Sequence, residues 1–194
     1  MEREFTRAEA DRHNALTERG WALTDGLLFI HAGDARGQPG WAARRKLQKA
    51  IGYFEQALAI NPGGWSSMWA LGKIYQRLGE TATSLGWFTQ AHQLNPDQPD
   101  VAREAGLAAL DGGEAELAVY FCTAAVDAKP EDAGLVANLA LAHMLAGDDA
   151  ASIRCARSAV QRDPDDSVSN TVLALVQGVA EGTRERPKTL RASP

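Results

Sequence analysis

Prolines recur at Pro62, Pro96, Pro130 and Pro164, each 34 residues after the last. Gly79, Gly113 and Gly147 keep the same period, and each precedes an acid: Glu80, Glu114 and Asp148. Between these breaks the chain reads as helix. In Trp65–Gln98 a first stripe runs through Trp69, Leu71, Gly72, Ile74, Tyr75 and Leu78 at helical spacing. Gly79 and Glu80 interrupt it, and a second stripe follows through Leu85, Trp87, Phe88, Ala91 and Leu94. Asn95-Pro96 stops that second helix, because proline lacks a backbone donor and restricts the residue before it. The unit is a helical hairpin, and the punctuation says that it repeats.

A helix–turn–helix of 34 residues resembles the tetratricopeptide repeat. The central unit matches that family's pattern at Leu71, Gly72, Tyr75, Phe88, Ala91 and Pro96, with Ser84 where the family prefers alanine. The resemblance implies an all-α fold, a right-handed α-solenoid of stacked antiparallel helix pairs. It assigns residues 65–98, 99–132 and 133–166 to successive repeats, and 167–180 to a capping helix covering the apolar edge of the last one. The third unit carries Ala105, Ala109 and Cys122 where larger side chains are usual. The fourth has Ala140 for the first-helix glycine, His143 for the tyrosine, Ser152 for alanine and Ala156 for the second-helix aromatic.

The first repeat, 19–64, is irregular. Residues 1–18 are expected to hold a short helix from Thr6 to Leu16, separated by Gly20 from a second at Trp21 to about Ala32. In this register Gly26 stands where Gly72 stands, and Ala32-Gly33-Asp34 copies Ala146-Gly147-Asp148. Ala50, Phe54, Ala57 and Pro62 fit the second helix. Gly26 to Ala50 spans 24 positions against 12 from Gly72 to Ser84, which implies an insertion of 24 − 12 = 12 residues between Gly33 and about Lys46. Gly33–Gly40 is a loop by composition, and Trp41 to Lys46 lengthens the following helix. Residues 181–194, with four cations, Pro187 and no apolar stripe, read as a disordered tail.

Composition narrows the function. A net charge of -5 argues against nucleic acid, which needs a concentrated basic face. The longest strongly apolar cluster near the start, Leu27–Ile30, is too short for a bilayer, and the acids at Glu2 and Glu4 do not suit a signal peptide. Cys122 and Cys155 sit in helices without a CxxC pair, so two reduced thiols in a cytoplasmic protein are expected. No phosphate loop, HExxH or GxSxG occurs, and the four histidines lie far apart. The Gly33–Gly40 loop lacks the lysine of a phosphate cradle. Asp148-Asp149 and Asp165-Asp166 stand at helix starts, where they cap backbone donors. No enzyme, cofactor or metal is expected.

The resemblance places a binding surface on the concave face, lined by the first helix of each hairpin. Carried over position by position, that face presents Trp69, Lys73, Gln76 and Arg77 in the second unit and Arg103, Leu107 and Leu110 in the third. The fourth adds Leu141, Met144 and Leu145, with Asn138 beside them. It is mixed around the cations and apolar around the leucines, which suits an amphipathic or extended protein segment. The family's carboxylate-gripping set needs lysine at Trp69, asparagine at Lys73 and Glu104, lysine at Gly134 and arginine at Asn138, and none matches. The expected function is a non-catalytic scaffold for a protein or peptide. The alternative is a chaperone for a secreted or membrane-associated client.

Overall fold

The computed structural model describes residues 5–28 and 38–190. Among the described residues there are nine helices and no strand. They are α1 (Arg7–Thr24), α2 (Trp41–Ile60), α3 (Trp65–Leu78), α4 (Thr81–Leu94), α5 (Pro99–Gly112), α6 (Ala115–Ala128), α7 (Ala133–Ala146), α8 (Asp149–Arg162) and α9 (Ser167–Ala180). The chain divides into two compact units, residues 1–94 and 95–194. In the first, α1 pairs with α2 and α3 with α4, and α2 packs on α3. In the second, α5 pairs with α6 and α7 with α8, α6 packs on α7, and α9 closes on both α7 and α8.

The periodic glycines end the first helices. Gly79, Gly113 and Gly147 have φ of 86°, 76° and 83°, the left-handed region where a Cβ is costly. The next residue then reaches back: the Glu80, Glu114 and Asp148 amides donate to the carbonyls of Tyr75, Ala109 and His143 at 2.9, 2.9 and 3.0 Å. Asp148 also accepts from the Ala151 amide at 2.9 Å, so one acid both closes α7 and caps α8. Pro96 lies outside any helix, two residues beyond the end of α4.

Within the second, third and fourth hairpins the helices cross at one matched pair of positions, 16 residues apart. A Cβ on Gly72 would stand 2.5 Å from the Phe88 ring, and one on Gly106 would stand 2.7 Å from Cys122 Sγ. In the fourth unit Ala140 and Ala156 hold the same positions, both fully buried in one cluster. Glycine thus faces a second-helix side chain that reaches across the crossing, the Phe88 ring or the Cys122 sulfur, and alanine faces alanine. The two serines that replace alanine have a use at the same crossing. Ser84 Oγ donates to the Gly72 carbonyl at 2.9 Å and Ser152 Oγ to that of Ala140 at 2.8 Å, both in the buried interior. Each hydroxyl is thereby satisfied where an unpaired one would be costly.

That matching makes a testable exchange. Gly106→Ala alone is expected to cost about 1–3 kcal/mol by overpacking. Gly106→Ala with Cys122→Ala recreates the fourth unit's pair at nearly constant volume and is expected to stay within about 1.5 kcal/mol of wild type. Urea unfolding of the single and double variants checks this. A double variant as unstable as the single would show that the two positions do not compensate.

The first hairpin differs from the sequence reading. Residues 7–24 form one helix that runs through Gly20, where two helices with a break were expected. Thr6 starts it with a capping box: the Glu9 amide donates to the Thr6 hydroxyl while the Glu9 carboxylate accepts from the Thr6 amide at 3.0 Å. Gly20 is no breaker because its missing side chain is used for packing. A Cβ there would meet the Phe54 ring at 2.7 Å, the same clash found between Gly72 and Phe88. Gly26 instead lies past the end of α1 in a turn with φ 65°, and no atom lies within 4 Å of a Cβ there. The crossing glycine is thus Gly20, and the expected register of this unit is corrected by six residues (26 − 20). Gly20 to Phe54 is 34 positions against 16 in the other hairpins, an insertion of 34 − 16 = 18 residues rather than 12. Six of those belong to α2, which has 20 residues where α4 has 14. The Ala32-Gly33-Asp34 turn lies outside the described residues.

The core of the first unit gathers Leu47, Ile51, Phe54, Leu71 and Ile74 between α2 and α3. In the second unit Val136, Ala140, Met144, Val172 and Val176 belong to a second cluster. α9 is held by Asp166, which accepts from the Val168 and Ser169 amides and the Ser169 hydroxyl. Those bonds, the Ser169 hydroxyl first, hold its carboxyl below the usual carboxylate range.

Residues 181–190 also depart from expectation. After α9 the chain turns at Gly182 (φ 71°), where the amides of Thr183 and Arg184 and the Thr183 hydroxyl all donate to the Gly178 carbonyl. It then lies against the ends of α7 and α5. The expected disorder of 181–194 therefore does not hold for 181–190, because specific polar anchors replace the missing apolar stripe. Residues 191–194 lie outside the described residues.

Candidate functional site

In the first unit the expected residues sit along α3. Trp69 is half-buried with its indole nitrogen buried, and its ring lies 6.1 Å from that of Trp21 on α1. Trp21 in turn meets Phe54 edge-on at 5.2 Å. Trp69 is thus part of an aromatic cluster joining α3 to α1, where a place on the partner-binding face was expected. The corrected register accounts for this, since it sets Trp21 where Lys73 stands one repeat later. Lys73 donates to the Gln76 side chain at 2.9 Å, and Arg77 Nε donates to the Leu27 carbonyl at 3.2 Å. All three are half-buried.

In the second unit α5 and α7 lie side by side and carry the rest. Arg103 pairs with Asp100 at 3.3 Å and with the buried Glu104 at 3.1 Å. Leu107, Asn138, Leu141 and Leu145 are half-buried. Leu110 and Met144 are 1% and 0% exposed, so their side chains belong to the core and do not line a surface. Their carbonyls do the surface work. Leu190 N donates to the Leu110 carbonyl at 3.0 Å, and the Arg186 guanidinium donates to the Met144 carbonyl. Arg186 Nη2 also reaches both oxygens of Asp149 at 2.9 and 3.0 Å. Leu190 packs against the cluster that includes Leu141 and Leu145. The face expected to take a polypeptide holds residues 183–190 of this chain.

Sequence reasoning missed Asp149, Arg186 and Leu190. Asp149 reads as a second cap beside Asp148, yet the cap is already made by Asp148. That redundancy of two acids at one helix start was the available signal. Arg186 and Leu190 gave none, standing in a stretch without periodicity.

Cys122 is buried and its thiol is pushed up to about 12, an inert packing group. Burial also raises the half-buried Cys155 thiol. Among the described residues no three His, Cys, Asp or Glu side chains gather as a metal site. No described helix is long and apolar enough to cross a membrane.

Helical hairpins stacked within each unit, with glycine-and-proline punctuation, define a helical-repeat protein of the interaction-scaffold class. The chain belongs to the tetratricopeptide repeat family: a model of that repeat matches residues 42–99 and 88–133. Solved structures agree in fold. MamA 41-end from Desulfovibrio magneticus RS-1 is 17% identical with a TM-score of 0.71, covering 89% of this chain and 86% of that one. Another MamA structure is 14% identical with a TM-score of 0.73, covering 91% and 86%. YrrB, described as a TPR protein with an unusual peptide-binding site, is 14% identical with a TM-score of 0.64 over 73% of each chain. No curated protein matches the sequence.

Proposed function

We propose that this protein is a non-catalytic scaffold that binds an extended segment of another protein along the first-helix face of its repeats. One observation carries the reading: the ends of α5 and α7 already hold a non-helical stretch of polypeptide through main-chain carbonyls at Leu110 and Met144. The Leu110 carbonyl takes a backbone amide, a bond open to many sequences, while the Met144 carbonyl takes an arginine side chain, a contact that selects among them. The peptide-binding site named for YrrB supports the same use of the fold. The half-buried leucines 107, 141 and 145 favour the chaperone reading as the alternative, with a hydrophobic client stretch in place of the chain's own segment.

A photo-crosslinking amino acid at Leu107, on α5, is compared with one at Tyr120, which is 59% exposed on α6. The expected result is polypeptide adducts from position 107 and none from 120. Adducts from 120 alone would move the partner to the second-helix surface.

A further inference from the structure

We propose that the end of the α5–α7 face is an arginine-reading peptide site, and that residues 183–190 are its resident occupant, displaced by a partner segment with arginine four residues before an aliphatic side chain. This rests on the scaffold reading above and names the partner's chemistry.

The first subsite is electronegative. It joins the Asp149 carboxylate to the Met144 carbonyl in the last turn of α7, the negative end of that helix dipole. The guanidinium of Arg186 spans both, with two bonds to Asp149 and one to Met144. A planar fork with several donors meets two acceptors of fixed separation, which an ammonium cannot do as well. The second subsite is apolar and takes Leu190 against the α7–α9 cluster, while the Leu190 amide is read by the Leu110 carbonyl. Four residues reach at most about 13–14 Å even when fully extended. Neighbouring helices lie about 10 Å apart, so the spacing carries a segment from one first helix to the next.

The segment also passes close to the turn after α5. A Cβ on Gly113 would stand 2.7 Å from the Lys188 carbonyl, whereas the corresponding Gly147 has nothing within 4 Å. The hold on the segment is modest. Only Arg186, Pro187 and Leu190 are half-buried while residues 183–185, 188 and 189 are exposed, and the Arg186–Asp149 side chains are 33% and 37% accessible. A partly exposed pair of this kind contributes little by itself. Its tether lets these modest contacts suffice, because it sets a high effective concentration of the segment at the site. A partner with the same pattern can compete with it.

The test uses full-length protein and a fluorescent peptide of residues 182–190, read by anisotropy. The variant Arg186→Ala/Leu190→Ala removes the resident anchors and leaves Asp149, Met144 and Leu110 in place. It is expected to bind the peptide at least tenfold more tightly than wild type. Adding Asp149→Asn to that variant is expected to lose most of this gain. A peptide carrying Arg186→Lys is expected to bind at least several-fold more weakly, a comparison made on one folded protein. Equal binding by wild type and the released variant would overturn the proposal. So would indifference to both the Asp149 and the peptide arginine changes. A wild-type dimer that Arg186→Ala dissolves would assign the resident segment to a second copy and overturn occupancy within one chain. If the released variant ignores the peptide yet still gives adducts from position 107, the arginine pattern fails and the scaffold reading stands. If both fail, the face is not a binding surface.

Discussion

Phe54→Ala is expected to destabilise the first unit by about 3–5 kcal/mol, the usual cost of emptying a buried phenylalanine site. Phe54 is fully buried, its ring covers Gly20, and its edge meets Trp21 at 5.2 Å. Removing it opens a cavity between α1 and α2 and leaves the Trp21–Trp69 pair without its support. The lengthened α2 cannot readily collapse into that space, because Leu47, Ala50, Ile51 and Ala57 already pack around it. The measurement is urea unfolding followed by circular dichroism, with tryptophan fluorescence as the local probe. An unchanged midpoint would show that Gly20 and Phe54 do not form the crossing, and would return the role to Gly26. Gly26→Ala separates the two: with nothing near its Cβ, it should cost only the left-handed backbone penalty, about 1–2 kcal/mol.

Gly72→Leu should be the most damaging change in α3. Its first added atom already falls 2.5 and 2.6 Å from the Phe88 ring, and the ring is fully buried. Phe88 cannot rotate away without displacing its neighbours. Overpacking of this kind costs about 1–3 kcal/mol and at times more, and a leucine adds three further carbons to the clash. The change also presses on the Ser84 hydroxyl, which donates to the Gly72 carbonyl at 2.9 Å. Its loss would strand a buried polar group. Thermal melting of Gly72→Leu beside Gly106→Ala gives the comparison. The first meets an aromatic ring, the second a single sulfur. Equal melting temperatures for Gly72→Leu and wild type would place the helix crossing elsewhere.

Some of this was legible because the signals are local. Gly79, Gly113 and Gly147 end helices through their own backbone angles, and Pro96 interrupts one through its own ring. Asp148 and Asp166 cap amides two or three residues away. Such features act over a single turn, so one sequence shows them. The candidate site was legible only in outline. The first-helix positions are on the expected helices, but Leu110 and Met144 turn their side chains inward and Trp69 leans on Trp21. Position in a repeat sets which helix face a residue occupies; what packs over that face sets whether it is accessible.

The sequence by itself determined the hairpins, their turns and the family, since each turn is encoded within a few residues of itself. The tertiary structure alone decided two matters. Which glycine crosses α2 depends on the ring of Phe54, 34 positions beyond Gly20, and a nearer glycine copied the repeat spacing more closely. Where residues 183–190 lie depends on a carboxylate 37 residues back and a carbonyl 80 residues back, 186 − 149 and 190 − 110. Neither anchor repeats along the chain. Contacts that close only when distant segments are folded together leave no period to read.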